Sequence, residues 1–344
     1  MSSANSPRLP HLDALKGIAI LLMIQVHLLQ LFATPTVYNS LIGKVGLFLG
    51  GPLVAPLFLA TMGYCVARTR RSSLSLLARA VKLLLLGLAL NVGLNAHLLW
   101  RIHRGEIQLD PMSFVFGIDI LICAGLSIAI IAILRKLGRF GLMLLGLLVI
   151  GVIVFAESAT GGLPPADSGI ARYFWAPFVG GYSWSYFPLV PWLSYSLFGF
   201  AGHKVARLWR WPRPSVRVQA VLCFAGFAVL ACTAKSVVAD ILDPPSFYLH
   251  SPELAAWTLL YLAVIWRTAA LCIPAAGLGY VTWLGRHVTS AYVIQWLLIG
   301  NIATAIYKSQ TLAETLVWYL LILGLTSAVI ALTDRALGRR VRDG

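Results

Sequence analysis

An ammonium and an imidazole share one apolar stretch of this chain. In Ala14–Phe32, ALKGIAILLMIQVHLLQLF, Lys16 and His27 are the ionisable side chains. At 100° per residue, their spacing returns to within about 20° of the same helix face and climbs about 16 Å along the axis. A run of about 19 residues is long enough to cross a ~30 Å hydrocarbon layer as a helix. An ionisable group inside such a span is a functional candidate, because burying it without a partner is expensive. A neutral imidazole there can take a proton from an attacking hydroxyl or amine. Lys16, at the end of the span, would attract an anion. A ring satisfied by a neighbouring helix accounts for His27 equally well on spacing alone.

Further groups could carry chemistry. ARTRRSS, with Arg68, Arg70 and Arg71, forms a basic turn whose guanidinium forks match phosphate oxygens, as in a coenzyme A thioester. Ordinary topology-setting charge explains the same turn. GGPLVAPLFLATMGY (Gly50–Tyr64) combines small residues with two prolines, a composition that allows close helix approach, a local break and room for a substrate. In FPLVPWLSYSLFGFAGHK, Pro188 and Pro191 open a span and Trp192 sits at its outer interface, as an anchor or a substrate platform. LGRHVTSAYVIQWLLI begins another, with Arg286 and His287 at its cytosolic end and Tyr292 and Gln295 on one inner face. Asp119 lies within the fourth span, near its outer end, and could orient His27 from another helix.

The elements that must position these groups follow from composition. The 344 residues are 59% hydrophobic and 11% charged, with a mean hydropathy of +0.83; a soluble domain carries about 25% charged residues. The chain is therefore expected to be all-α, a polytopic membrane helix bundle of ten spans forming one integral-membrane domain over 1–344. The spans fall near 14–33, 45–67, 73–97, 113–134, 140–156, 186–203, 217–239, 254–274, 287–306 and 312–332. A short extra segment within 266–286 could re-enter the membrane. Of the 27 Lys and Arg, all but Lys44, Arg101, Arg104, Arg172, Lys235 and Lys308 lie on the side of the N-terminus. That asymmetry puts both termini in the cytosol. It also turns the net charge of +15 into an orientation signal rather than a nucleic-acid footprint. The five cysteines show neither disulfide nor zinc spacing and read as buried thiols. No metal site is expected, and the first apolar run is expected to be retained rather than cleaved. The outer loops hold most of the carboxylates together with Trp and Tyr, a lining that would suit a carbohydrate or amine, or an ordinary solvated face.

In order, these segments resemble the transmembrane acyltransferases, a group that includes the bacterial acyltransferase-3 proteins and the heparan-α-glucosaminide N-acetyltransferases. RLPHLDALKGIAILLMIQVH resembles an opening in which R-x-x-x-L-D-x-x-R-G precedes an apolar run ending in His; Lys16 stands where Arg is commoner. Arg68 and Arg70 match an R-x-R after the second span. APLFLATMGY, FPLVPWLSYSLFGFAGHK and LGRHVTSAYVIQW resemble later segments of the group, with Gln295 where many relatives have His. The resemblance implies His27, Lys16 and Asp13 as the catalytic set and Arg68 and Arg70 at the donor, with Arg286, at a cytosolic helix end, as a further donor candidate. Asp119, Trp192, Tyr292 and Gln295, singled out above by their own chemistry, are the candidates for the acceptor. The resemblance also implies acetyl-CoA as donor, without a metal, and a hydroxyl or amine of a sugar or glycoconjugate as acceptor. The setting would be a multi-pass protein of the bacterial inner membrane, in contact with lipid, with a homodimer left open.

A proton-coupled transporter or flippase for a small or lipid-linked solute would use His27, Lys16 and Asp119 as an ion path instead. A non-catalytic scaffold would need no imidazole in the span.

Overall fold

The computed structural model describes residues 9–135, 146–148, 150–151, 169–208, 214–273 and 278–342. Among them the secondary structure is helical, without strands beyond isolated bridges. The helices are α1 (Pro10–Leu31), α2 (Pro35–Asn39), α3 (Leu41–Arg68), α4 (Ser73–Leu94), α5 (Ala96–His103), α6 (Pro111–Val115) and α7 (Ile120–Leu134). They continue with α8 (Ala171–Trp175), α9 (Leu189–Leu208), α10 (Val216–Leu242), α11 (Pro244–Leu249) and α12 (Pro252–Cys272). The last are α13 (Tyr280–Arg286), α14 (Val288–Ile306) and α15 (Leu312–Arg342).

Seven of these, α1, α3, α4, α10, α12, α14 and α15, are long and apolar enough to cross a membrane. Two of the other expected spans are helical but different in form. α7 is apolar but has only 15 residues, and α9 is broken at Val190 by its extended backbone, the conformation favoured by a residue before proline. The expected span at 140–156 lies largely outside the described residues. α3 runs unbroken through Pro52 and Pro56, so those prolines do not interrupt the span. Cys123 and Cys223 are buried, whereas Cys65, Cys232 and Cys272 are exposed on the chain, correcting the reading of all five as buried. Exposed apolar side chains are what a lipid-facing surface requires, since water no longer penalises them.

The described chain divides into two compact units. One comprises Met1–Leu9, Ala55–Asn91 and Met112–Leu271; the other comprises Pro10–Val54, Val92–Pro111 and Cys272–Gly344. In the first, α3 and α9 meet along reciprocal glycines. A Cβ on Gly63 would overlap the Ser196 carbonyl, and one on Gly199 would overlap that of Ala60. Arg135, just past α7, donates from its guanidinium to the carbonyls of Arg71 at 2.8 Å and Thr69 at 3.3 Å.

In the second unit α1 is the central element. A Cβ on Gly17 would overlap the Val281 carbonyl of α13, and one on Gly285 of α13 would overlap the Asp13 carbonyl. Small residues of this kind let helix backbones touch where lipid supplies no hydrophobic drive. Gly46 and Gly50 of α3 face the Gln25 and Val26 side chains of α1 in the same way. Within Gly50–Tyr64, Gly50 thus admits α1 and Gly63 admits α9. The far end of α1 is tied by backbone hydrogen bonds from Lys308 to Leu31 at 2.9 Å and from Gln310 to Phe32 at 2.8 Å.

Candidate active site

His27 lies well along α1, half-buried. Gln295, fully buried on α14, meets it: the Gln295 amide puts Oε1 3.3 Å and Nε2 3.2 Å from Nδ1 of the imidazole. One amide atom bonds at a time, and the choice sets the tautomer. If Nδ1–H donates to Oε1, the lone pair sits on Nε2; if the amide N–H donates to Nδ1, the ring proton sits on Nε2. The next residue, Trp296, holds its indole against the imidazole, ring centroids 4.0 Å apart and 37° tilted. An amide at one ring nitrogen and an indole on the face fix the ring's orientation. Tyr292, one turn before Gln295, is also buried.

About 16 Å down the same helix, the remaining members of the predicted constellation meet. Asp13 Oδ1 is 2.6 Å from Lys16 Nζ, and its Oδ2 is 3.8 Å from Arg286 Nε. One carboxylate thus faces two cations, leaving a net positive charge at the start of α1. Asp13 is also in the first turn of α1, where the helix dipole favours an anion. Arg286 arrives there because Gly285 allows α13 to lie on Asp13. Beside it, His287 approaches Asp334 of α15 at 3.0 Å and bonds the Trp283 carbonyl through Nδ1 at 2.9 Å.

Four predicted residues belong to the other unit. Arg68 stacks over the Tyr64 ring, 5.6 Å from its centroid, and Arg70 is exposed on the following turn. Trp192 is 0% exposed and donates its indole N–H to the Tyr248 carbonyl at 2.9 Å. It is therefore packed inside that unit rather than displayed at a lipid interface. Asp119 is not within its span but is the N-cap of α7, accepting from the Ile122 N–H at 2.9 Å. An N-cap carboxylate satisfies an otherwise orphaned helix donor, so Asp119 has a structural reason to be there. Three of the acids expected in outer loops are similarly engaged: Glu106 pairs with Arg101 and Arg104, Asp243 caps α11, and Glu314 accepts from the Thr311 N–H and hydroxyl.

Trp296 and Arg135 escaped sequence reasoning. Trp296 follows a predicted residue, but adjacency does not reveal that both reach one imidazole. Arg135 looked like one more topology-setting cation; its contacts with Thr69 and Arg71 are long-range in sequence.

Seven helices long and apolar enough to cross a membrane among the described residues, with a histidine held in the first of them, define a polytopic membrane protein. Residues 8–232 match the family described as heparan-alpha-glucosaminide N-acetyltransferase, catalytic, and the chain belongs to that family. It is thereby a membrane acyltransferase. Comparison with curated proteins and with solved structures gave no match.

Removing the Gln295 amide is a direct check on the imidazole's setting. Gln295→Leu leaves Nδ1 without its partner, a loss of about 1–3 kcal/mol, and lowers kcat about ten- to hundredfold if that bond orients the base. Gln295→Glu restores an acceptor and recovers much of the rate. Steady-state kinetics at fixed donor decide it: an unchanged kcat in Gln295→Leu would show that the amide merely packs.

Proposed function

We propose that the protein transfers an acetyl group from acetyl-CoA to a hydroxyl or amine of a sugar or glycoconjugate. The observation that carries this reading is the engagement of His27 Nδ1 by Gln295 on a membrane-spanning helix. It leaves Nε2 as the ring nitrogen that can serve a substrate. With Nδ1–H donating to Gln295 Oε1, Nε2 takes the proton of the acceptor as its oxygen or nitrogen attacks the thioester carbonyl. The new C–O or C–N bond forms, the C–S bond breaks, and coenzyme A leaves as its thiolate, to be protonated by the imidazolium or solvent. This needs one histidine and no acyl-enzyme.

The donor's phosphates are assigned to cations. In the first unit Arg68 and Arg70 lie on a turn held by Arg135, and in the second Arg286 with Lys16 outnumbers Asp13; each group by itself suits a polyanion through charge-assisted hydrogen bonds. Lys16 and Asp13 act at a distance from the reacting atoms, holding α13 and Arg286 to α1. With the N-terminus cytosolic, the donor comes from inside the cell and the acceptor from outside, across the bacterial inner membrane. Tyr292 is the nearest candidate to help seat the acceptor, three residues from Gln295 on α14.

The test is purified full-length protein with acetyl-labelled acetyl-CoA and glucosamine. Label should pass to the amine or a hydroxyl with stoichiometric release of coenzyme A. Flux of a solute driven by a pH gradient, without coenzyme A release, would refute the assignment.

A further inference from the structure

The first half of α4 carries two cations on a helix that is otherwise apolar enough to cross a membrane. Arg79 and Lys82 stand six and nine positions after its first residue, Ser73, about 9 and 14 Å along the axis. Both are exposed, and so are Leu74, Ala78, Val81 and Leu85. These positions recur at helical spacing and form one stripe along α4. Leu74 is 77% and Leu85 62% exposed, so the chain leaves the stripe uncovered on either side of the cations. On a membrane-crossing helix such a stripe faces lipid.

No acid accompanies the cations. α4 contains neither Asp nor Glu, and among the described residues the ion pairs engage neither Arg79 nor Lys82. A cation at membrane depth needs a counter-charge or a way out of the hydrocarbon. The helix supplies a direction. Its Cα–Cβ bonds tilt toward its N-terminus, and the long stems of Arg and Lys can run along apolar surface while the charged heads seek the boundary. Both heads are thus directed toward the headgroup layer at the Ser73 end. The counter-charge in that layer is lipid phosphate. A guanidinium and an ammonium both donate charge-assisted hydrogen bonds to its oxygens. The exposed leucines and valine suit acyl chains, which a soluble anion lacks. A zwitterionic lipid brings its own ammonium, which competes for the same phosphate.

We infer that Arg79 and Lys82 hold the phosphate of an anionic phospholipid against α4. The lipid lies in the leaflet on the side of the Arg68–Arg71 turn, with its acyl chains along Leu74, Val81 and Leu85. The site does not depend on acetyl transfer.

The test is thermal melting of purified full-length protein in a neutral detergent, titrated with dioleoylphosphatidylglycerol, dioleoylphosphatidylcholine or inorganic phosphate. Phosphatidylglycerol should raise Tm, and the other two should not. Arg79→Gln and Lys82→Gln should each increase the phosphatidylglycerol needed for half of that rise by about fivefold. The exchange Arg79→Lys with Lys82→Arg keeps both charges and should keep most of the response. Lys44→Gln removes an exposed cation in the other unit and should respond as wild type does. Equal rises with the two lipids, or a rise with inorganic phosphate, would overturn the site. So would a phosphatidylglycerol response that survives in the double glutamine variant. A wild type indifferent to lipid, whose double glutamine variant passes from dimer to monomer in light scattering, would assign the stripe to a second copy of the chain instead.

Discussion

His27→Ala should lower acetyl transfer by about two to four orders of magnitude, the usual contribution of a positioned general base. The ring is half-buried at its place on α1, so its removal leaves the helix to its other contacts: glycine seams with α13 and α3, and backbone hydrogen bonds to Lys308 and Gln310. The loss should therefore be in kcat, with folded protein recovered in normal yield. His27→Asn sharpens the result. Its amide can replace Nδ1 in the bond to Gln295 but provides nothing at the Nε2 position. Asparagine should be as inactive as alanine if Nε2 is the base. Initial rates with labelled acetyl-CoA, at saturating donor and acceptor, measure both. Full activity in either variant would remove His27 from the chemistry.

Gly285→Val should be the most damaging substitution to the folded state of the second unit. A Cβ at Gly285 meets the Asp13 carbonyl, a backbone atom that no side-chain rotation can move aside. Overpacking a tight site typically costs about 1–3 kcal/mol, and a backbone obstacle belongs at or beyond the top of that range. α13 would have to lift from α1, carrying Arg286 away from Asp13 and leaving that carboxylate to Lys16 alone. The outcome is a lower Tm together with a raised KM for acetyl-CoA, if Arg286 serves the donor. Gly202→Ala is the internal control. It lies within α9 with nothing near its would-be Cβ, so alanine there should be neutral or stabilising by up to about 1 kcal/mol. Thermal melting in detergent compares the two directly; equal Tm values would contradict the seam.

The difference between these sites also marks what can be read in a linear chain. Helical class, membrane residence and the long spans follow from apolar run length, which acts locally and leaves its signature residue by residue. Lys16 and His27 could be paired to one face because both lie on a single helix. Gln295 was singled out as polar inside a span, but its meeting with His27 joins residues that are distant in sequence and was beyond any spacing rule. Asp119 reads as the outer end of the fourth span but is the cap of α7: hydropathy blurs a cap into the span that follows it. Trp192 looked interfacial because tryptophan favours that depth, whereas its N–H finds the Tyr248 carbonyl inside the protein. The short α13 had no hydrophobic period long enough to announce it. Its placement depends on two glycines, Gly17 and Gly285, whose value appears only when the opposing backbone is known.

Helix α1 is tethered at both ends. Near Asp13 the helix is locked to α13, and at Leu31 and Phe32 it is laced to the Lys308–Gln310 turn. A helix pinned at head and tail cannot shuttle like a piston. His27 is then a stationary post, and if the proposed transfer takes place there, donor and nucleophile must both travel to it.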